Sequence, residues 1–277
     1  MKHLLKLLDL TTEEIEEILN LADQLKYELK HGIEHHHLKG KTLGMIFAKA
    51  STRTRVSFET GMYQLGGYPM YLSANDMQIG RGEPIEDTAR VLSRYLDGIM
   101  IRTFEQKQVE DLAKYGSIPI INALTDFAHP CQVLADLMTI RERKGALEGL
   151  KACYIGDGNN MMHSIIVGCL KMGMSISVAC PEGYRPDKEV LEFASQYEGF
   201  EMTDSPATAA KDADVLFTDV WASMGQEGEA AERRKAFEGY RGEEITADVF
   251  ESHADEIFDE AENRLHAQKA VLVTLMK

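Results

Sequence analysis

The chain has 277 residues, enough for two domains that each bury a core. With 44% hydrophobic and 27% charged residues the composition is that of an ordinary globular protein, which argues against long disorder, and no apolar run approaches a membrane span. Forty-five acidic against thirty basic residues give a formal charge of -15, which disfavours nucleic-acid backbones and anionic membranes; a small anionic ligand would need a local cationic pocket.

Thr11 and Glu14 form a capping-box pattern ahead of a helix with Ile15, Ile18, Leu19, Ala22, Leu25 and Leu29 on one face, stopped at Gly32. "IEHHHLKG" reads as a surface linker, because the adjacent side chains of His35, His36 and His37 do not converge easily on a metal. "TLGMIFA" is a short buried strand, "TRVSFETGMYQLGG" a helix closed by Gly66 and Gly67, and "GYPMYLS" a strand. "PIEDTARVLSRYLDG" predicts a helix from Pro84 to just before Gly98. "GIMIRTF", "KQVEDLAKYG" and "SIPIINAL" continue the alternation, and "HPCQVLADLMTIRERKG" is a long helix. A second series follows: strands "KACYIGDG", "SISVACP", "FEMTDSP" and "DVLFTDVW", with helices "MMHSIIVGCLKMG", "DKEVLEFASQYEG" and "ATAAKDA" between them, and a C-terminal helix "DEAENRLHAQKAVLVTLMK".

Short apolar strands alternating with helices predict an α/β protein of two doubly wound domains, each a central parallel sheet covered by helices. The expected division is 1–138, 139–258, and a helix 259–277 returning to the first domain. In such sheets ligands gather at the carboxyl ends of the strands. The cysteines, Cys131, Cys153, Cys169 and Cys180, form no C-x-x-C pair and two sit in apolar runs; with no signal peptide, a reducing, cytoplasmic setting is expected.

"STRTR" follows the first strand and sets Ser51, Thr52, Arg53 and Thr54 at a helix N-terminus, where free backbone N–H groups, hydroxyls and a guanidinium fork suit phosphate oxygens. The alternative, a capped helix with solvated arginines, fits five successive polar residues less well. His129 and Gln132 open the helix of "HPCQVLAD" and are both candidate donors to a carbonyl oxygen. Arg102 ends an apolar strand, and Arg264 lies on the last helix; each alone reads equally as an anion contact or an ion-pair partner. "YIGDGNNMMHS" has Gly156 and Gly158 but Met161 at the third glycine position, too incomplete for dinucleotide binding; Asn160 is the candidate there. Asp219, Ser223 and Met224 come after the apolar part of "DVLFTDVW", ahead of a small-residue segment that reads as a mobile loop, and Asp219 suits a ligand ammonium group.

The motifs "STRTR", "HPCQ", "GDGNN", "DVWASMG" and "DEAENRLHAQKA", in this order across nearly the whole chain, resemble the ornithine carbamoyltransferase family. The resemblance implies transfer from carbamoyl phosphate to L-ornithine, giving citrulline and phosphate, without metal or organic cofactor. It implies a homotrimer or multiple of trimers with active sites at subunit interfaces. By motif, Ser51, Thr52, Arg53 and Thr54 cradle phosphate, and Gln78 of "DMQIGRGE" reaches the carbamoyl phosphate of a neighbouring subunit. Arg102, His129 and Gln132 surround the carbamoyl group, with Arg102, His129 and Thr54 facing its oxygen in catalysis, and Arg264 closes the anionic end. Asn160, Asp219, Ser223 and Met224 bind ornithine under a loop expected to close. Other resemblance-compatible functions are an inactive carbamoyl-phosphate-binding protein and a carbamoyltransferase for another amine such as putrescine.

One element of the family pattern is missing. Between "DVWASMG" and "DEAENRLHAQ" the family has a helix, then a strand ending in "HCLP"; here "RRKAFEGY" runs directly into "RGEEIT" at Tyr240–Arg241. Either the polypeptide has a segment absent from this sequence, which is the expectation, or the deletion is real.

Overall fold

The computed structural model describes residues 1–220, 227–240 and 245–277. In chain order the helices and strands are α1 (Thr12–Lys30), β1 (Thr42–Phe47), α2 (Thr52–Gln64), β2 (Tyr68–Ser73), α3 (Ile85–Leu92), β3 (Gly98–Arg102), α4 (Gln106–Tyr115), β4 (Ile120–Leu124) and α5 (Pro130–Lys144). They continue with β5 (Lys151–Ile155), α6 (Asn160–Lys171), β6 (Ser175–Ala179), α7 (Lys188–Ala194), β7 (Phe200–Thr203), α8 (Pro206–Ala210), β8 (Val215–Thr218), α9 (Ala230–Ala236), α10 (Ala247–Ser252) and α11 (Ala254–Met276). Two compact units result, one of Met1–Met138 with Glu260–Lys277 and one of Thr139–Asp259.

In the first unit four parallel strands run in the order β2-β1-β3-β4. The chain moves outward from β1 to β2 and then returns to β3 on the other side of β1. That reversal leaves a crevice at the carboxyl ends of β1 and β3, where connecting segments diverge. Phe47 is in register with Arg102 there, so both strands end at the same level. One face is filled by Ile46, Ala89, Leu96, Ile99, Ile101, Val109, Leu112 and Ile120. The free edge of β4 is occupied by Leu4, whose N–H donates to Ile120 O at 2.9 Å while its carbonyl accepts from Asn122 N at 2.7 Å.

The second unit repeats the plan with the order β7-β6-β5-β8, and its reversal lies between β5 and β8. Ile155 and Thr218 are in register at the carboxyl ends of those strands. Two turns therefore carry whatever this sheet offers a ligand: 156–159 after β5, and Asp219 after β8.

Two sequence expectations are corrected. The helix predicted from Pro84 to Gly98 ends at Leu92, because Ser93 Oγ turns back to donate to Ala89 O at 2.7 Å and accepts from Ser117 N at 3.0 Å; Gly98 then opens β3. The histidine run is only partly a surface linker: His35 is buried, with Nδ1 2.8 Å from Ile33 O and Nε2 2.6 Å from Lys269 Nζ. The sequence joins Tyr240 directly to Arg241, and among the described residues no strand follows β8. β8 carries the pattern of an edge strand, with Leu216 and Thr218 exposed and Val215 and Phe217 half-buried.

Candidate active site

Ser51 caps α2: its backbone is extended, its Oγ accepts from Thr54 N at 3.3 Å and donates to Thr54 Oγ1 at 3.0 Å. No acidic residue occupies the first turn of α2, so the positive end of the helix and the N–H groups of Thr52 and Arg53 remain available to an anion. The two arginines of "STRTR" part company. Arg55 turns outward, with Nε on Glu59 at 3.0 Å and its guanidinium 3.9 Å from the Tyr71 ring centroid. Arg53 is exposed at the helix start, within electrostatic reach of Arg102 and Arg264.

Arg102 is buried where β3 ends, and its Nε has no hydrogen-bond partner. Burial, then the charges of Arg264 and Arg53, push its pKa down to about 10. Arg264 projects from α11, donating through Nη2 to Thr54 Oγ1 at 3.0 Å and through Nη1 to Gln132 Oε1. Its position along α11 is pinned by the preceding residue, since buried Lys26 donates to Asn263 Oδ1 at 2.7 Å. Five residues on, Lys269 is fully buried beside His35 and donates to Gln64 Oε1 at 3.0 Å, and burial lowers it to about 8. Three guanidiniums thus converge on one helix N-terminus, with Glu260 within electrostatic reach of Arg53 and Arg264, an arrangement suited to a multiply charged anion.

His129 is buried just before α5, and its pKa lies well below the ordinary histidine value through burial, then Arg264 and Arg102. It is therefore a neutral imidazole, able to donate one hydrogen bond without adding charge. Proton NMR of the imidazole is expected to show no titration between about pH 6 and 8, the window in which an ordinary histidine changes charge. A midpoint near pH 6.5 would contradict this. The neighbouring Cys131 thiol is pushed up to about 12 by burial and is inert as a nucleophile at neutral pH.

Gln132 differs from its expected role as a donor. Its Nε2 donates to Asp136 Oδ1 at 3.0 Å and to Glu260 Oε1 at 2.5 Å, so both amide hydrogens are taken and its oxygen is what faces Arg264. Gln78 is exposed on the 3-10 turn Gln78–Arg81, and its side chain makes no hydrogen bond to this cluster. Lys49, just ahead of the cradle, is already paired, with Asp126 Oδ1 at 2.5 Å and the Phe104 ring at 4.2 Å.

In the second unit the turn after β5 is held tightly. Gly158 N donates to Tyr184 O at 2.8 Å, and a Cβ on Gly158 would lie 2.4 Å from Arg185 C and Pro186 N, so only glycine fits. Asp157 and Arg233 are both buried and joined at 2.7 Å, with the Tyr184 ring 5.2 Å from the guanidinium. Asn159 caps α6, accepting from Met161 N at 2.9 Å and Met162 N at 3.2 Å, while its Nδ2 donates to Asp219 Oδ2 at 3.1 Å. Asp219 Oδ1 accepts from Val220 N at 2.9 Å. The half-buried carboxylate of Asp219 is thus aimed by Asn159, which sequence inspection passed over for its neighbour Asn160, the first residue of α6. Ser223 and Met224, with the loop assigned to them, lie outside the described residues. Among the described residues no group of three His, Cys, Asp or Glu side chains is placed to hold a metal ion, and no helix is long and apolar enough to cross a membrane.

Residues 2–142 match the carbamoyl-phosphate-binding domain of aspartate/ornithine carbamoyltransferases. Residues 148–241 and 240–275 match, in two pieces, the Asp/Orn-binding domain of the same family. An ornithine carbamoyltransferase of Thermococcus kodakarensis is 53% identical over 303 positions, covering 99% of this chain and 96% of that protein. Those 303 positions against 277 residues leave a surplus of at least 26 without a counterpart here, and the family match breaks at Tyr240–Arg241. The structure of ornithine carbamoyltransferase from Pyrococcus furiosus superposes with a TM-score of 0.94 at 52% identity, covering 99% of this chain and 97% of that one. An anabolic ornithine carbamoyltransferase from Campylobacter jejuni gives 0.92 at 39% identity, covering 99% of each chain.

Proposed function

This chain belongs to the aspartate/ornithine carbamoyltransferase family, and on that premise we propose that it transfers the carbamoyl group of carbamoyl phosphate to the δ-amino group of L-ornithine, giving L-citrulline and phosphate. The observation that carries this is the anion cradle at the β1/β3 crevice, where Arg53, Arg102 and Arg264 meet the N-terminus of α2.

The phosphate lies against Ser51, Thr52, Arg53 and Thr54, with Arg102 and Arg264 neutralising its charge. The carbamoyl oxygen takes hydrogen bonds from His129, Arg102 and Thr54. These donors are fixed before the reaction and strengthen as the oxygen gains negative charge, which is where they lower the barrier. The δ-amine attacks in its neutral form: a C–N bond forms to the carbamoyl carbon, the C–O bond to phosphate breaks, and its electron pair leaves with the phosphate. One amine proton passes to the phosphate as it departs. Ornithine is assigned to Asp219, on its α-ammonium group, with Asn160, Ser223 and Met224. No metal or organic cofactor enters these steps. The resemblance places a cysteine and a leucine of "HCLP" on ornithine as well, and this sequence carries no such motif.

We further assign the chain to a homotrimer or a multiple of trimers, with Gln78 reaching a neighbour's carbamoyl phosphate, and to the cytoplasm. In support of the first, Val56 and Tyr63 of α2 and Tyr68 and Tyr71 of the edge strand β2 are exposed, and Gln78 is exposed on the turn that follows. In support of the second, Cys131, Cys153, Cys169 and Cys180 are all free and buried.

The test is a citrulline assay on the purified chain with carbamoyl phosphate and either L-ornithine or putrescine. Citrulline from ornithine, and no product from putrescine, is expected. Carbamoyl-phosphate binding with no product from either amine would favour a binding protein, and the deletion at Tyr240–Arg241 would be its cause. Turnover of putrescine alone would reassign the amine.

A further inference from the structure

The helices that supply Gln132 and Arg264 bring two more carboxyl groups to the same place. Asp136 follows Gln132 by four residues on α5, and Glu260 precedes Arg264 by four on α11, so each shares a helix face with its partner. Gln132 Nε2 bridges the two, at 3.0 Å from Asp136 Oδ1 and 2.5 Å from Glu260 Oε1, while its Oε1 accepts from Arg264. Chemistry fixes that orientation. Reversed, the amide oxygen would face two carboxyl groups, and the amide hydrogens would face a guanidinium that has only donors.

Asp136 Oδ2 is buried and accepts no hydrogen bond, and Glu260 lies within hydrogen-bonding reach of Asp136. Burial raises both groups, and for Asp136 the charge of Glu260 adds to it.

We propose that Asp136 and Glu260 are positioning residues that lock the Gln132 amide with its oxygen toward Arg264 and Thr54, so that the cradle selects an acyl phosphate whose carbonyl carbon bears an N–H donor over one bearing a methyl group. This rests on the assignment of the cradle to carbamoyl phosphate. An amide oxygen accepts from the carbamoyl –NH2 and gains nothing from a methyl in its place. An unlocked amide could turn its own N–H groups toward the ligand, where they would oppose –NH2 but tolerate –CH3.

The test compares dissociation constants of carbamoyl phosphate and acetyl phosphate on the full-length protein, in wild type, Asp136→Asn, Glu260→Gln and the double variant. The ratio of the two constants cancels the common phosphate contribution, including any change of charge near Arg264. Each single amide leaves one carboxylate to hold Gln132, so the preference for carbamoyl phosphate is expected to stay within about twofold of wild type. In the double variant both partners carry an oxygen and an N–H, the lock is gone, and the preference is expected to fall roughly tenfold. Asp136→Leu with Glu260→Gln is the second unlocking variant should the double amide fail to fold. A preference unchanged in the unlocked variants, or already lost in a single amide, overturns the proposal. A wild type that binds acetyl phosphate but not carbamoyl phosphate overturns the underlying assignment instead.

Discussion

Arg53→Ala is expected to lower kcat/KM for carbamoyl phosphate about 10³-fold, roughly 4 kcal/mol of transition-state binding, without making the ligand-free protein less stable. The size follows from position. Arg53 is the exposed guanidinium at the open start of α2 and makes no ion pair with a carboxylate among the described residues, so its charge is available to the ligand. The stability half follows from repulsion. Arg102 and Arg264 are both held below the ordinary arginine range, chiefly by burial, with Arg53 contributing to each. Removing Arg53 relieves that contribution but also gives up its attraction for Glu260, so the melting temperature of the free protein should stay level. Steady-state kinetics and a thermal melt on one preparation separate the two effects. Unchanged affinity for carbamoyl phosphate would remove Arg53 from the cradle.

Asp219→Ala is expected to cost about 10²-fold in kcat/KM for ornithine while leaving the dissociation constant of carbamoyl phosphate unchanged. Asp219 is oriented from two sides, by Asn159 Nδ2 at 3.1 Å and by Val220 N at 2.9 Å, so its carboxylate is already aimed when an ammonium group arrives. Asn159→Ala should therefore reproduce part of the loss, since the carboxylate survives but its aim does not. Equal losses for both substrates would point to damage of the sheet and not to a lost ornithine contact.

What was legible in the sequence was what is local or periodic. The strand-helix alternation gave parallel sheets, and the structure has two of them with four strands each. "STRTR" was legible because cap, hydroxyls and arginines are consecutive, though the outward turn of Arg55 onto Glu59 and Tyr71 was not. Arg264 stayed ambiguous because its partner Thr54 is 210 residues away. The orientation of the Gln132 amide is illegible for a similar reason: the carboxyl group of Glu260 that takes its hydrogen lies 128 residues distant. Its other partner, Asp136, is four residues on, and the paired four-residue spacings of Gln132/Asp136 and Glu260/Arg264 were the available signal. Asn159 and Asn160 are adjacent, and only the exact start of α6 decides which one turns toward Asp219. His35 reads as surface because nothing nearby in sequence announces Lys269.

The guanidinium cluster has a metabolic consequence. A cradle built from Arg53, Arg102, Arg264 and a helix N-terminus grips the phosphate end, and that end is common to the substrate and to the product left behind. Inorganic phosphate should therefore compete with carbamoyl phosphate and slow turnover as it accumulates. A cell rich in free phosphate would throttle this enzyme through product inhibition alone, without any separate regulatory site.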